Sequence, residues 1–155
     1  MKNLKYKATT VITILVTIAI IGILVAIIVP SLEKTKSKQS LNGSVDEIVS
    51  TLVSARSKTL ASYNSNNYGV HITSNSITLF TGPTYSVNGA GNIVKNLDTG
   101  VSISNISLAG NGADILFDRL KGSTDNYGTI TVQVSGSGAY SKTITIERTG
   151  LVSTN

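Results

Sequence analysis

Three patterns of apolar positions follow one another along the chain. From Val11 to Val29 there are 19 consecutive residues without a charge, interrupted only by Thr13, Thr17 and Gly22. As a helix they would span about 28 Å, close to the hydrocarbon thickness of a bilayer. Fourteen of the 19 are Ile, Leu or Val, and at roughly 0.3 to 0.6 kcal/mol apiece they favour insertion by several kcal/mol. β-Branched residues favour strands in water, but in lipid an isolated segment satisfies its backbone only as a helix. The pattern therefore predicts a membrane-spanning helix. It is too long for the apolar core of a cleaved secretory signal, usually about 7 to 15 residues.

Beyond Pro30 the apolar residues thin out and recur at three- and four-residue steps: Leu41, Val45, Ile48, Val49, Leu52, Ala55, Leu60 and Tyr63. That spacing predicts a helix with one buried face. Ser44-x-x-Glu47 has the form of a capping box, and Asn42-Gly43 is a poor helix interior, so a joint near 42–44 is expected. The turn-forming run Asn64-Ser65-Asn66-Asn67 should end the helix.

From Tyr68 onward the period becomes two. Val70 and Ile72 share one face of a strand, and Ile77 and Leu79 alternate in the next, after a Ser74-Asn75 turn. Val101 and Ile103 are out of phase with Ile106 and Leu108, which predicts a bulge near Ser104-Asn105. Asp114 to Asp118 is a short apolar run. Ile130, Val132 and Val134, then Ser135-Gly136-Ser137-Gly138, then Ile144 and Ile146 make the clearest hairpin. The fold class is thus α+β, a long N-terminal helix packed on an antiparallel β-rich head.

Composition narrows the partners. The formal charge is +5, but Lys2, Lys5 and Lys7 precede the apolar run, and without them 10 basic residues face 8 acidic ones. Lys and Arg are mostly scattered, which disfavours a nucleic-acid surface without excluding it. Cysteine is absent, so neither disulfides nor thiolate chemistry is available.

The run from Lys7 to Pro30 closely resembles the type III signal of type IV pilins and pseudopilins, most specifically Ile18 to Leu24 and the proline after it. The resemblance implies that prepilin peptidase removes a basic leader, residues 1–8, between Ala8 and Thr9, and that the new N-terminus is methylated. Residues 9–30 would be the transmembrane and filament-core helix, 31–64 its amphipathic continuation and 65–155 the head. Ala8 stands where Gly is usual and Thr9 where Phe is usual. The fifth mature residue, usually a Glu that pairs with a neighbour's terminal amine, is Thr13, a change best tolerated in a tip-located minor subunit. Gly22 and Ala26, four apart, permit close helix contact, and Pro30 would loosen the helix as it leaves the bilayer.

The head also resembles general secretion pathway H and FimT-like pseudopilins, through Ser54-Ala55-Arg56 to Tyr68-Gly69-Val70, Phe117-Asp118, Gly128 to Val134, Thr143 to Glu147 and Gly150-Leu151-Val152. A head of two sheets follows from that resemblance. It further implies an inner-membrane protein with a cytoplasmic N-terminus and exported head. Its partners would be other pilin subunits, the peptidase, the inner-membrane assembly platform and membrane lipid. The three N-terminal lysines agree with that orientation, although Lys34, Lys36 and Lys38 flank the other end.

Little else in the chain suggests chemistry. His71 is the single histidine and alternates with Val70 and Ile72, as a polar-face residue does. Asp114 and Asp118 would point to one side of a strand, suiting a cation or simply water. Gly89-Ala90-Gly91 and Gly110-Asn111-Gly112 read as turns. Asn42-Gly43-Ser44 and Asn105-Ile106-Ser107 match the glycosylation pattern by chance in a chain rich in Asn and Ser. No nucleophile with a base emerges, so the chain reads as a structural subunit, not an enzyme, with neither cofactor nor metal. An adhesion or DNA-capture head and a generic single-pass anchored β domain remain as alternatives.

Overall fold

The structure, a computed structural model, describes residues 3–135 and 137–155, with the side chains of 3–9, 27–31 and 137–139 left aside. The chain forms two compact units, the first ending at Lys36 and the second running from Ser37 to Asn155.

Helix α1 spans Asn3–Leu60. In the second unit its buried positions are Leu41, Ser44, Val45, Ile48, Thr51, Leu52, Ala55 and Thr59, a stripe at three- and four-residue steps. Leu60 and Tyr63, expected on that stripe, are exposed: Leu60 is the last residue of the helix and Tyr63 lies beyond its end. Ser62, Asn64 and Ser65 take left-handed backbone angles around a single 3-10 turn, Tyr63–Ser65. Asn accepts that conformation more readily than most residues.

The expected joint at 42–44 does not form. The helix continues through it, and the residues that imitate a cap bind elsewhere in the head. The Ser44 hydroxyl accepts the Asp98 N–H at 3.1 Å, and Glu47 pairs with Lys95. Gly43 admits that loop, since a Cβ there would lie 3.3 Å from the Asp98 carboxylate.

The strands are β1 (Tyr68–Ile72), β2 (Ser76–Thr81), β3 (Ile93–Asn96), β4 (Val101–Leu108), β5 (Asp114–Leu116), β6 (Gly128–Val134), β7 (Ser137–Ile146) and β8 (Val152–Thr154). They form two four-stranded sheets, ordered β3-β2-β1-β5 and β4-β6-β7-β8, and every pairing is antiparallel. The predicted bulge lies between Ile103 and Asn105. It resets the phase, so that Ile106 opposes Ile130 after Ile103 has opposed Val132.

One core gathers the helix stripe, Val70, Ile72, Ile77, Leu79 and Ile115 of the first sheet, and Ile103, Ile130, Val132, Ile144 and Ile146 of the second. Thr59 secures the helix end inside it, donating to Ala55 O at 2.9 Å and accepting the Tyr68 N–H at 3.0 Å. Both strands missed by pattern, β3 and β8, are short and lie at sheet edges.

The first sheet also buries residues on its other face. Residues opposed across an antiparallel ladder share a face, which sets Gly69 with Phe80 and His71 with Thr78 away from the core. Phe80 and Thr78 are nevertheless buried, and the segment after β2 folds back to lay Tyr85 against Phe80 and His71. Gly69 is required beneath Phe80: a Cβ there would come within 2.4 Å of the ring.

Candidate functional site

In the first unit, every described side chain from Thr10 to Ala26 is exposed. Val11, Ile12, Ile14, Leu15, Val16, Ile18, Ile20, Ile21, Ile23, Leu24 and Val25 are each at least half exposed. At 100° per residue these positions encircle the helix, so no side of it is polar. Thr17 returns its hydroxyl to Ile14 O at 2.8 Å, which hides a polar group inside the helix. Thr13 is exposed on the same surface. At Gly22 a Cβ would meet nothing within 4 Å. Among the described residues, no helix is long and apolar enough to cross a membrane; side chains of the apolar run are described only as far as Ala26. The side chains of Ala8, Thr9 and Pro30 lie outside the description, and the helical backbone passes through all three positions.

In the head, His71 has two partners. Its Nδ1 lies 2.5 Å from Asp114 Oδ1, and its ring stacks on Tyr85 at 3.8 Å between centroids and 5° between planes. Tyr85 then meets Phe80 edge-on at 5.6 Å. The cluster fastens the segment after β2 to the outer face of the sheet. Asp118, expected to share a side with Asp114, instead accepts from Ser123 Oγ at 2.8 Å within a turn. The strand ends at Leu116, so alternation no longer aligns the two carboxylates. Among the described residues, no group of three or more potential metal ligands comes together.

Arg56 makes long-range contacts that pattern alone could not place. Its Nε donates to Gly122 O at 3.1 Å and its Nη2 to Thr149 O at 3.3 Å. The helix is thereby tied to the loop after β5 and the turn before β8. The turns at Gly91 and Gly110-Asn111 carry positive φ, as their sequences suggested. The Asn42 glycosylation pattern is blocked, because its Ser44 is 2% exposed and already bonded. Tyr68 is buried, while Tyr140 and Tyr127 lie under Lys38 and Arg148 respectively.

No protein-family model matches the chain, and no curated protein matches its sequence. Its fold is similar to two crystal structures of the type IV minor pilin FimU from Pseudomonas aeruginosa strain PAO1, in space groups P21 and P65. Both superpose with a TM-score of 0.57, at 11% and 13% identity, over 76% and 74% of this chain and 89% and 92% of those chains. A long N-terminal helix packed on antiparallel sheets, in this order and arrangement, is a pilin-like fold.

Proposed function

We propose that this chain is a structural subunit, of the minor kind, of a type IV pilus or a type II secretion pseudopilus. One conjunction carries the reading: the Lys7–Pro30 signal and a pilin-like head occur in the same chain. Neither alone is as specific, since apolar anchors and small β heads are each common.

In this reading residues 9–30 first span the inner membrane, with the N-terminus in the cytoplasm and the head exported. Prepilin peptidase cuts between Ala8 and Thr9, and the new terminus is methylated. The assembly platform then moves the helix from lipid into a bundle of sister helices. Lipid chains are as apolar as Leu, so the transfer is driven by packing and registry rather than by the hydrophobic effect. The open surface at Gly22 suits close approach of a second helix. Arg56 and Gly150, which lie in two of the stretches that resemble general secretion pathway H and FimT-like subunits, meet in the head.

Mass spectrometry of the chain from cells with active prepilin peptidase tests the reading. A mature N-terminus at Thr9, methylated and recovered with filaments or the secretion apparatus, is the expected result. A chain that retains Met1 in those cells would refute it.

A further inference from the structure

Three asparagines in the chain are followed by a glycine: Asn42, Asn88 and Asn111. Such a pair is a reactive setting for the side-chain amide, because the next main-chain nitrogen can attack it and glycine has no Cβ to obstruct the approach. Attack requires that nitrogen to be free and the asparagine to turn about its own backbone. The fold treats the three pairs differently.

Asn42-Gly43 lies within α1, where the ladder of main-chain bonds engages each N–H and fixes each backbone angle. Asn88-Gly89 sits in a knitted loop. The Gly89 N–H donates to Ser86 O at 3.0 Å, Gly89 O accepts the Asn92 N–H at 3.2 Å, and Asn92 Nδ2 donates to Ser86 O at 2.7 Å. The two Asn-Ser pairs, next in reactivity, are engaged as well. The Ser65 N–H after Asn64 donates to Ser62 O at 2.9 Å, and the Ser76 N–H after Asn75 to Thr73 Oγ1 at 3.1 Å.

Asn111-Gly112 is held in no such way. It lies in the connection from β4 to β5, which carries the chain from one sheet to the other, and both residues are exposed. The Asn111 N–H donates to Leu108 O at 3.1 Å, but the Gly112 N–H and the Asn111 side chain have no hydrogen-bond partner among the described residues. Asn111 also has φ +55°, a strained region for an L residue. Turning toward attack therefore breaks no bond of the attacking nitrogen.

We propose that Asn111 is a site of spontaneous deamidation, selected by the fold over Asn42 and Asn88. The Gly112 nitrogen loses its proton to solvent and bonds to Asn111 Cγ; the Cγ–Nδ2 bond breaks, and ammonia leaves with a proton from solvent. Water then opens the succinimide ring at either carbonyl, leaving aspartate or isoaspartate. Water is the only co-reactant. Either product adds a negative charge at neutral pH. Isoaspartate also lengthens the main chain by a methylene between two fixed points: Ala109, whose N–H donates to Tyr127 O at 2.8 Å, and Ala113, whose carbonyl accepts the Ile72 N–H at 2.8 Å. The step is independent of the membrane and filament reading.

Peptide mapping by mass spectrometry tests this on the full-length chain aged in mildly alkaline buffer made with heavy-oxygen water. Asn111 should convert first, with heavy oxygen and isoaspartate in the product. Asn88 should lag by about fivefold or more, the factor for one hydrogen bond that opens before attack, and Asn42 by more. In denaturant the three rates should converge, since their chemistry is then the same. Gly112→Ala fits the fold, because its Cβ would meet only Asp114 N, at 3.9 Å. It should slow conversion at Asn111 about tenfold, a barrier ~1.4 kcal/mol higher, with an unchanged circular dichroism spectrum. Conversion at Asn42 or Asn88 ahead of Asn111, or equal rates at all three in the folded chain, would overturn the selection. Aspartate without isoaspartate would overturn the succinimide route. An Asn111 that keeps its amide while the denatured chain converts would overturn the site.

Discussion

Gly150 lies against Arg56 at a point where no side chain fits: a Cβ on Gly150 would come within 2.0 Å of Gly122 O and 2.8 Å of Arg56 Nε. The glycine also has φ +77°, a region where L residues are strained. The close approach lets one guanidinium bond two carbonyls from separate loops. The end of the helix is thus fixed to the last turn of the head by backbone acceptors, which do not depend on the identity of the loop side chains.

Gly150→Ala should therefore destabilise the head by about 2 kcal/mol, from backbone strain and overpacking together. Arg56→Ala should cost about 1 to 3 kcal/mol, because it leaves the carbonyl of buried Gly122 without its donor. The two changes remove one arrangement, so denaturant unfolding of the double variant should show less than the sum. Full additivity would mean that the glycine and the arginine act separately.

Ser44 gives a sharper contrast, because a cap and a tertiary latch predict different signatures. As a latch, its hydroxyl holds the Asp98 amide. Ser44→Ala should cost about 1 kcal/mol, with faster hydrogen exchange at Asp98 and unchanged helicity by circular dichroism. If the helix amides from Val45 to Ile48 lost protection instead, a capping role would be restored.

Tyr85 covers a secondary apolar layer on the outer face of the first sheet. Tyr85→Ala removes the stacking on His71 and the edge contact to Phe80, and aromatic pairs contribute about 0.5 to 1.5 kcal/mol each beyond their buried area. The segment between β2 and β3 should become cleavable by protease in limited digestion, while the β6–β7 hairpin stays protected. Equal protection of that segment before and after the change would show that the Tyr85 ring plays no part in fastening it.

The sequence made the periodic elements legible and the long-range ones opaque, for physical reasons. The phase change between Ile103 and Ile106 exposed the bulge because alternation is strict where one face is buried. β3 escaped notice because Ile93 and Val94 are adjacent apolar residues on a four-residue edge strand, where alternation has no room to show. Ser44 and Glu47 were misleading because a capping box and a tertiary latch use the same residue types. What separates them is Asp98, 54 residues further along the chain. His71 read correctly as a residue off the core face, but its partner Asp114 lies 43 residues away, and no local pattern connects them. On the N-terminal helix the reverse holds. The reading proposed for it rests on composition and motif, and the structure adds that the described apolar surface, Thr10 to Ala26, runs all the way round.

Thr13 allows the place of the subunit in a filament to be tested directly. In the proposed reading a Glu at this position would be costly in lipid unless paired, though less than at a helix centre because Thr13 lies near the end of the apolar run, and pairing with a neighbouring subunit's terminal amine would offset that cost. A threonine hydroxyl carries no charge, so in that reading a chain with Thr13 would enter a filament without that ion pair and would suit a position with no subunit ahead of it. Immunogold labelling of sheared filaments should find the native chain at ends, and Thr13→Glu should move label onto the shaft. Native label already spread along the shaft would show that Thr13 supports ordinary repeating contacts, and packing at surfaces such as that around Gly22 would then have to account for registry alone.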